Sequence, residues 1–187
     1  GANRGSKASW QSTYAVQELG RYLSRMSSKP VEVTAAPKSP SKKYIIVVGN
    51  EKENSLTRRL VGEGLIALNI PSGNGDGFVL RSAKKGNRQY LVMAGENSIS
   101  TLYAVYDYLE RFCNVGFFMD GEYVPKAGSI PFLGADFSSK PRFEWRHFCG
   151  TNCQVFGLRK YGFLFRRRED WNKYFDWMVK RKLNLSG

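Results

Sequence analysis

The segment ENSISTLYAVYDYLERFCNVGFF, residues 96–118, is the most regular stretch of the chain and decides its fold class. Asn97 or Ser98 can cap a helix here, and Asn114 and Gly116 can end it before a strand over residues 115–119. The apolar positions predict one continuous helical face, formed by Ile99, Leu102, Val105, Tyr106, Leu109 and Phe112. A helix that leads into a strand in this way indicates a sheet covered by helices.

The strands of that sheet are predicted upstream of the helix. Residues 44–48 (YIIVV) form an unbroken β-branched run, which is typical of a buried strand. Residues 77–83 (GFVLRSA) and 88–95 (RQYLVMAG) are joined by a short Lys-Lys-Gly-Asn link and predict an antiparallel hairpin.

Three further elements complete the first part of the chain. Residues 9–26 place apolar side chains at helical spacing, and residues 54–68 follow a looser helical pattern that their glycines weaken. Residues 31–34 (VEVT) predict a short strand, followed by a Pro/Ser/Lys-rich loop over residues 35–43. The predicted fold class is therefore α+β, with a mixed β-sheet covered by helices.

The character of the sequence changes at residue 138. After an SSK linker, residues 141–148 (PRFEWRHF) predict an aromatic strand, and residues 167–182 predict an amphipathic helix. One side of that helix is predicted to carry Trp171, Phe175, Met178 and Val179, and a second strand is predicted to begin at residues 183–185. A strand, a loop, a helix and a second strand form one unit of a TIM-type (β/α) barrel, and such a unit cannot stand alone. We therefore expect an accessory domain over residues 1–137 and the first strand-helix unit of a truncated barrel over residues 138–187.

Composition limits the class of protein. The 187 residues are 42% hydrophobic and 14% aromatic, enough for a substantial core, and no apolar run reaches the ~18 residues that would cross a bilayer. The net charge of +13 is typical of proteins that bind nucleic acid or an acidic polysaccharide, and a basic binding module remains the alternative function. The basic residues are nevertheless spread along the chain without a binding motif, so we expect no nucleic-acid partner and no membrane partner.

Catalytic and cofactor motifs are incomplete. The glycine-rich residues 73–77 (GNGDG) precede a strand, whereas a phosphate-binding loop follows a strand and opens a helix. The adjacent Glu169 and Asp170 lie at a predicted helix start, where acidic side chains offset the helix dipole. Asp176 is expected to pair with a nearby cation. No catalytic residue and no cofactor are predicted.

No metal site is predicted either. Cys149 and Cys153 have a spacing that zinc sites use, but only His147 lies beside them and a zinc site needs about four ligands. Cys113, Cys149 and Cys153 are expected to be buried thiols, or one disulfide and one free thiol.

Arg146 is the one candidate substrate-binding residue. A guanidinium at the end of a barrel strand would lie at the face where barrel enzymes bind substrate, and its donors can bond neighbouring hydroxyls. The alternative is an ion-paired or surface Arg.

Two groups of residues resemble glycoside hydrolases. Thr101–Glu110 (TLYAVYDYLE), Gly116-Phe117-Phe118 and Val124-Pro125 resemble the end of the small α/β domain that precedes the barrel in β-N-acetylhexosaminidases, α-glucuronidases and α-N-acetylglucosaminidases. PRFEWRHF resembles the first barrel strand of the hexosaminidases, and residues 174–185 (YFDWMVKRKLNL) resemble the helix and second strand shared with the α-N-acetylglucosaminidases.

The resemblance implies a function for the chain. It implies the non-catalytic N-terminal part of a secreted or periplasmic glycoside hydrolase, with Arg146 at the position of a sugar-binding Arg. The chain departs from the hexosaminidase pattern after Arg146, where His147-Phe148-Cys149 replaces a Gly and an aspartate-containing segment. The resemblance further implies that the catalytic acid and its partner lie on later barrel strands, so this chain alone should be inactive and should meet carbohydrate through a full-length protein.

Overall fold

Ten elements follow one another in the computed structural model, which describes residues 9–34, 43–127, 129–132, 136–147 and 167–184. In chain order they are α1 (Trp10–Ser27), β1 (Tyr44–Val48), α2 (Ser55–Gly62), β2 (Phe78–Lys85), β3 (Arg88–Gly95), α3 (Ser98–Arg111), β4 (Gly116–Phe118), β5 (Gly121–Tyr123), β6 (Phe137–Ser139) and α4 (Arg168–Lys180). The chain divides into a first unit, Gly1–Val115 with Val124–Arg142, and a second unit, Gly116–Tyr123 with Phe143–Gly187.

A mixed sheet in the order β1-β3-β2-β6 forms the centre of the first unit. β1 runs parallel to β3, and β2 is antiparallel to both β3 and β6. This confirms the predicted hairpin, whose turn narrows to Gly86-Asn87 because Lys85 pairs with Arg88. Gly86 has a φ of +58°, which a two-residue hairpin turn favours. The predicted mixed sheet with helices over it is confirmed in the first unit.

Side chains alternate between the two faces of this sheet. Val79, Val92 and Ala94 pack with Leu60 of α2 and with Leu68 in one apolar cluster. The other face contacts α3, which in turn contacts α1. Because α3 lies between the sheet and α1, every residue from Ser100 to Leu109 is buried. The sequence predicts burial of only one face of this helix, so it underestimates the buried part of α3.

The predicted strand over residues 31–34 is wrong. The amide of Val31 donates to Ser24 Oγ at 3.0 Å, and Val33 lies against Gly20 of α1, whose added Cβ would be 2.9 Å from Val33 Cγ2. The segment therefore contacts α1, and no strand is assigned to it.

The predicted linker over residues 138–140 is wrong in part, because β6 includes Ser138 and Ser139. Arg81 explains why the sheet extends here. Its guanidinium donates to the carbonyl of Phe137 at 2.9 Å and to Ser138 Oγ at 2.7 Å. A long-range side-chain contact thus adds a strand where the sequence predicts a link.

In the second unit, β4 and β5 form a two-stranded antiparallel hairpin, and α4 contacts β4. No strand is assigned to residues 141–147 or 183–184, where the sequence predicts the first two barrel strands. Residues 148 and 185 lie outside the described part, and the start of a barrel is not shown. The predicted boundary after residue 137 stays a prediction.

Candidate functional site

The carboxyl ends of β1 and β3 form the edge where open α/β sheets bind ligands. Three helices begin near this edge and are capped by Ser9, Asn54 and Asn97. Asn97 also forms a capping box with Ser100, and the cap predicted at residue 97 or 98 is confirmed at Asn97. Helix starts offer donors and a positive dipole end, so this edge has the chemistry of an anion site.

Glu53 accepts hydrogen bonds from several donors at this edge. Its carboxylate accepts hydrogen bonds from Ser12 Oγ at 2.8 Å, from Ser98 Oγ at 2.5 Å and from Thr101 Oγ1 at 3.2 Å. It also accepts from the amide of Asn50 at 3.3 Å. A carboxylate of the chain itself therefore joins the starts of α1 and α3 to the loop after β1.

A carboxylate of the chain also binds the amides of the glycine-rich loop at residues 73–77. Glu96 Oε2 accepts from the amides of Gly73 at 3.0 Å and Gly77 at 2.8 Å. A Cβ on Gly77 would lie 1.8 Å from the carbonyl oxygen of Pro71, so the turn requires glycine there. The loop is a turn closed by its own carboxylate, as its position before a strand indicates.

Three carboxylates among the described residues are buried, and each accepts from an arginine. Glu18 accepts from Arg21 at 2.8 Å and also from Tyr106 Oη at 3.0 Å. Asp107 accepts from Arg111 at 3.0 Å and Asp170 from Arg167 at 3.1 Å. The hydrogen bond from Arg167 holds the pKa of the Asp170 carboxyl below its ordinary value. This contact favours the ionised form of Asp170, which does not suit a general acid.

Arg146 lies in the second unit, where its donors bind backbone carbonyls. Nε donates to Lys182 O at 2.8 Å, and Nη1 donates to Phe143 O at 2.8 Å and to Glu144 O at 3.1 Å. The guanidinium therefore ties residues 143–146 to the end of α4. Its predicted contact with a sugar is untested by this arrangement.

Asn184 completes these contacts from the other side. Its Oδ1 accepts from the amide of Arg146 at 2.9 Å, and its Nδ2 donates to Glu144 O at 2.7 Å. Its own amide donates to Arg146 O at 2.9 Å. Side-chain donors and acceptors thus bond the backbone groups that a strand ladder would use, and no strand is assigned to residues 143–146. We call residues 143–146 and 182–184 the clasp.

A buried lysine was missed by the sequence analysis. Lys180 Nζ donates to Glu122 Oε1 of β5 at 2.6 Å and to Asp176, and it lies 5.8 Å from the centre of the Phe117 ring. The expected pairing of Asp176 with a nearby cation is confirmed. The i,i+4 spacing of Asp176 and Lys180 is a local signal, whereas the contact with Glu122 spans 58 residues and has none.

The predicted face of α4, with Trp171, Phe175, Met178 and Val179, is wrong in part, since of these four residues only Met178 is buried. Tyr174, Met178 and Lys180 are buried and Phe175 is 42% exposed. The helix buries residues 170, 174 and 178 at helical spacing, while Trp171 and Trp177 are half-buried.

Cysteine and metal predictions are only partly tested. Cys113 is a buried free thiol, and burial raises its pKa to about 11. Cys149 and Cys153 lie outside the described residues. Among the residues that the structure describes, no group of three or more His, Cys, Asp or Glu side chains could hold a metal ion, and no helix is long and apolar enough to cross a membrane.

The mixed sheet with covering helices, and a ligand edge filled by its own carboxylates, define a small α/β domain. Residues 5–108 match the model of the Glycosyl hydrolase family 67 N-terminus, and the chain belongs to this family. The predicted relation to a glycoside hydrolase N-terminal domain is confirmed at that level. No match was found among the curated proteins.

The solved structures that this chain is similar to include a family 89 glycoside hydrolase from Clostridium perfringens. In complex with its substrate GlcNAc-alpha-1,4-galactose it has a TM-score of 0.47 and 15% identity, covering 94% of this chain and 16% of that chain. The same family 89 enzyme in complex with PUGNAc has a TM-score of 0.47 at 15% identity and the same coverage. This chain therefore spans about a sixth of the length of those structures.

Proposed function

We propose that the chain is a non-catalytic N-terminal part of a secreted or periplasmic glycoside hydrolase, and that its first unit supports a catalytic barrel. The observation that carries this proposal is the state of the ligand edge. Glu53 and Glu96 accept hydrogen bonds from the amides and hydroxyls there, so the donors serve the fold.

The carboxylates argue in the same direction. Hydrolysis of a glycosidic bond uses two carboxyl groups on either side of the scissile bond, commonly ~5 to 10 Å apart. The buried carboxylates of the described residues are instead each paired with an arginine one turn away along the same helix or at its cap. Such pairs stabilise helices and leave the chemistry to another part of a longer protein.

The charge-based alternative, a basic module for an acidic polysaccharide or nucleic acid, gains little from these contacts. Several cations of the described residues form ion pairs within the chain: Arg21, Arg81, Lys85, Arg111, Arg167 and Lys180. Binding to a polyanion would fall steeply with salt. Retention on heparin at physiological salt would favour this alternative.

An assay of hydrolysis tests the proposal directly. The purified chain should release no 4-nitrophenol from a panel of 4-nitrophenyl glycosides, while a longer protein that carries this chain ahead of a barrel should release it. Turnover by the chain that is lost in Glu53→Gln or Glu96→Gln would overturn the non-catalytic role and place chemistry at the sheet edge.

We also propose that Arg146 contacts sugar hydroxyls when a barrel is present. Arg146→Lys keeps the charge but loses the forked donors, so KM in the longer protein should rise about tenfold if one charge-assisted hydrogen bond is lost.

Asn184→Ala is the matched control for this effect. It breaks the clasp and leaves the guanidinium in place. An equal rise of KM in Asn184→Ala would assign Arg146 to the clasp alone.

A further inference from the structure

The glycine-rich loop contains the only Asn-Gly pair of the sequence. Asn74 has a φ of +55° and Gly75 a φ of +90°. The amide of Asp76 donates to Gly73 O at 3.0 Å, which closes a tight turn of the kind that favours Asn-Gly. A Cβ at residue 75 would also lie 2.9 Å from Asn97 Nδ2. The fold therefore requires glycine directly after this asparagine.

Asn-Gly is the dipeptide in which asparagine loses its side-chain amide most readily. The backbone nitrogen of the next residue gives up its proton and attacks the side-chain carbonyl carbon, and glycine has no side chain to hinder this approach. Ammonia leaves and a cyclic succinimide forms. Water then opens the ring at one of its two carbonyl carbons, which gives aspartate or isoaspartate. Water is the one reactant that this change consumes.

Both reacting groups are accessible at Asn74. Its side chain is exposed, and among the described residues no hydrogen-bond partner is found for its amide or for the amide nitrogen of Gly75. Gly75 is held through its carbonyl oxygen, which accepts from Asn97 Nδ2 at 2.7 Å. The contacts of the turn therefore leave the attacking nitrogen uncommitted.

A second pair in the same loop, Asp76-Gly77, can form the same succinimide but lacks this freedom. Its attacking nitrogen already serves as a donor, because the amide of Gly77 donates to Glu96 Oε2 at 2.8 Å. Gly77 is also buried. Attack by this nitrogen would first break a charge-assisted hydrogen bond.

The two Asn-Ser pairs of the sequence, which are next in reactivity, are held by their side chains. Asn54 and Asn97 are helix caps, and the Oδ1 atom of each accepts two backbone amides. Their Nδ2 atoms donate to Val48 O at 3.0 Å and to Gly75 O at 2.7 Å. Deamidation at either cap would first release these contacts.

We propose that Asn74 is a modification site, at which the folded chain deamidates in preference to the other described asparagines and mainly to isoaspartate. Isoaspartate lengthens the main chain between Gly73 and Gly77, whose amides are both bound by Glu96 Oε2. Gly73 also packs closely, since a Cβ there would lie 2.9 Å from Pro141 Cδ. The modification therefore loosens the glycine-rich loop from Glu96. It is independent of the proposed function.

Incubation of the purified chain at neutral pH, followed by peptide mapping, tests the site. The tryptic peptide of residues 60–81 should gain about one dalton, because asparagine is thermolabile and an oxygen replaces its NH group. Fragmentation should place the change at Asn74, with Asn69 of the same peptide unchanged. Conversion should exceed that at Asn54 and Asn97 about tenfold or more, because each cap must first lose a hydrogen bond. Isoaspartate O-methyltransferase should methylate the product.

Two variants separate the modification from its consequence. Asn74→Gly tolerates the positive φ and removes the reacting amide, so its peptide should show no gain of mass. In the aged wild type, the amides of Gly73 and Gly77 should exchange hydrogen faster than in the fresh chain. Asn74→Asp adds the charge without lengthening the main chain, so its exchange should stay closer to that of the fresh wild type.

An unchanged peptide 60–81, under conditions in which a free peptide of the same sequence deamidates, would show that the turn protects Asn74 and would overturn the inference. Equal conversion at Asn54 and Asn97 would overturn it as well. Unchanged exchange of Gly73 and Gly77 after full conversion would disprove the loosening of the loop. The hydrolysis assay does not depend on any of these results.

Discussion

The two units differ in how much of their buried part is apolar. Residues at 0% exposure in the first unit include the sheet residues Val79, Leu80, Leu91 and Val92, all apolar. In the described part of the second unit, five residues are buried and two of them are charged: Phe117, Asp170, Tyr174, Met178 and Lys180. The first unit is therefore stabilised mainly by apolar burial, while the second depends on directional polar contacts. Each of these contributes about 1 kcal/mol net, or about 1.5–3 kcal/mol where a charged group takes part.

This difference in buried side chains predicts how each unit responds to substitution. Close packing tolerates little change, because added atoms meet backbone. Polar contacts such as the clasp can be broken without filling or emptying a core. We expect the first unit to resist unfolding longer than the second, and four changes measure that difference.

The largest effect is expected where the first unit packs backbone against backbone. Gly95→Ala would place a Cβ 2.3 Å from the amide nitrogen of Thr101 and should cost about 3 kcal/mol of unfolding free energy. Urea unfolding followed by circular dichroism measures it.

Gly62→Ala is the matched control, because nothing lies within 4 Å of its Cβ at the end of α2. It should be neutral or stabilise by about 0.5–1 kcal/mol. Equal destabilisation by both changes would contradict the packing argument.

In the second unit, Glu122→Ala removes a partner from the buried Lys180. Since hydrogen bonds to charged groups contribute about 1.5–3 kcal/mol, the hairpin should lose about 2 kcal/mol of stability. Hydrogen exchange of the β4 and β5 amides measures this locally. Glu122→Gln keeps an acceptor and should lose less, and an unchanged exchange rate in Glu122→Ala would show that Asp176 suffices.

A smaller effect is expected at the clasp. Asn184→Ala loses the two side-chain hydrogen bonds to Arg146 and Glu144 and should cost about 1 kcal/mol. Limited proteolysis with mass spectrometry should show faster cleavage after residue 142, with residues 9–34 and 43–115 still protected. Asn184→Asp keeps the acceptor, so its cleavage rate should fall between those of the wild type and Asn184→Ala. Faster cleavage within the first unit would contradict the division into units.

The smallest effect concerns pH. The pKa of Asp170 is lower in the folded chain because Arg167 hydrogen-bonds the ionised carboxylate. Its contribution is therefore present above the unfolded pKa of about 3.9 and is lost as pH falls through the lower folded value. Asp170→Asn should be less stable than the wild type at pH 7, and thermal melts should show this difference shrinking toward pH 3. A difference that stays constant with pH would indicate a purely steric effect.

Much of the first unit was predictable because its signals are local. The β-branched run at residues 44–48, the Gly-Asn link and the cap at Asn97 each specify an element within a few residues. The candidate site was less predictable. Arg146 was singled out as a sugar contact, while the donors that the structure describes bind carbonyls 36 residues away as well as nearby.

The sequence by itself determined the α+β class, the hairpin, the helix at residues 98–111 and the relation to glycoside hydrolases, since these depend on periodicity, turn chemistry and motifs close in the chain. Only the tertiary structure decided that residues 31–34 contact α1 and form no strand, and that β6 joins the sheet. It also decided that Lys180 is buried against Glu122, and that Glu53 and Glu96 accept the hydrogen bonds of the ligand edge. Each of these features needs a donor and an acceptor, or two packed surfaces, that come from distant segments of the chain. Local sequence patterns do not indicate which distant segments come into contact.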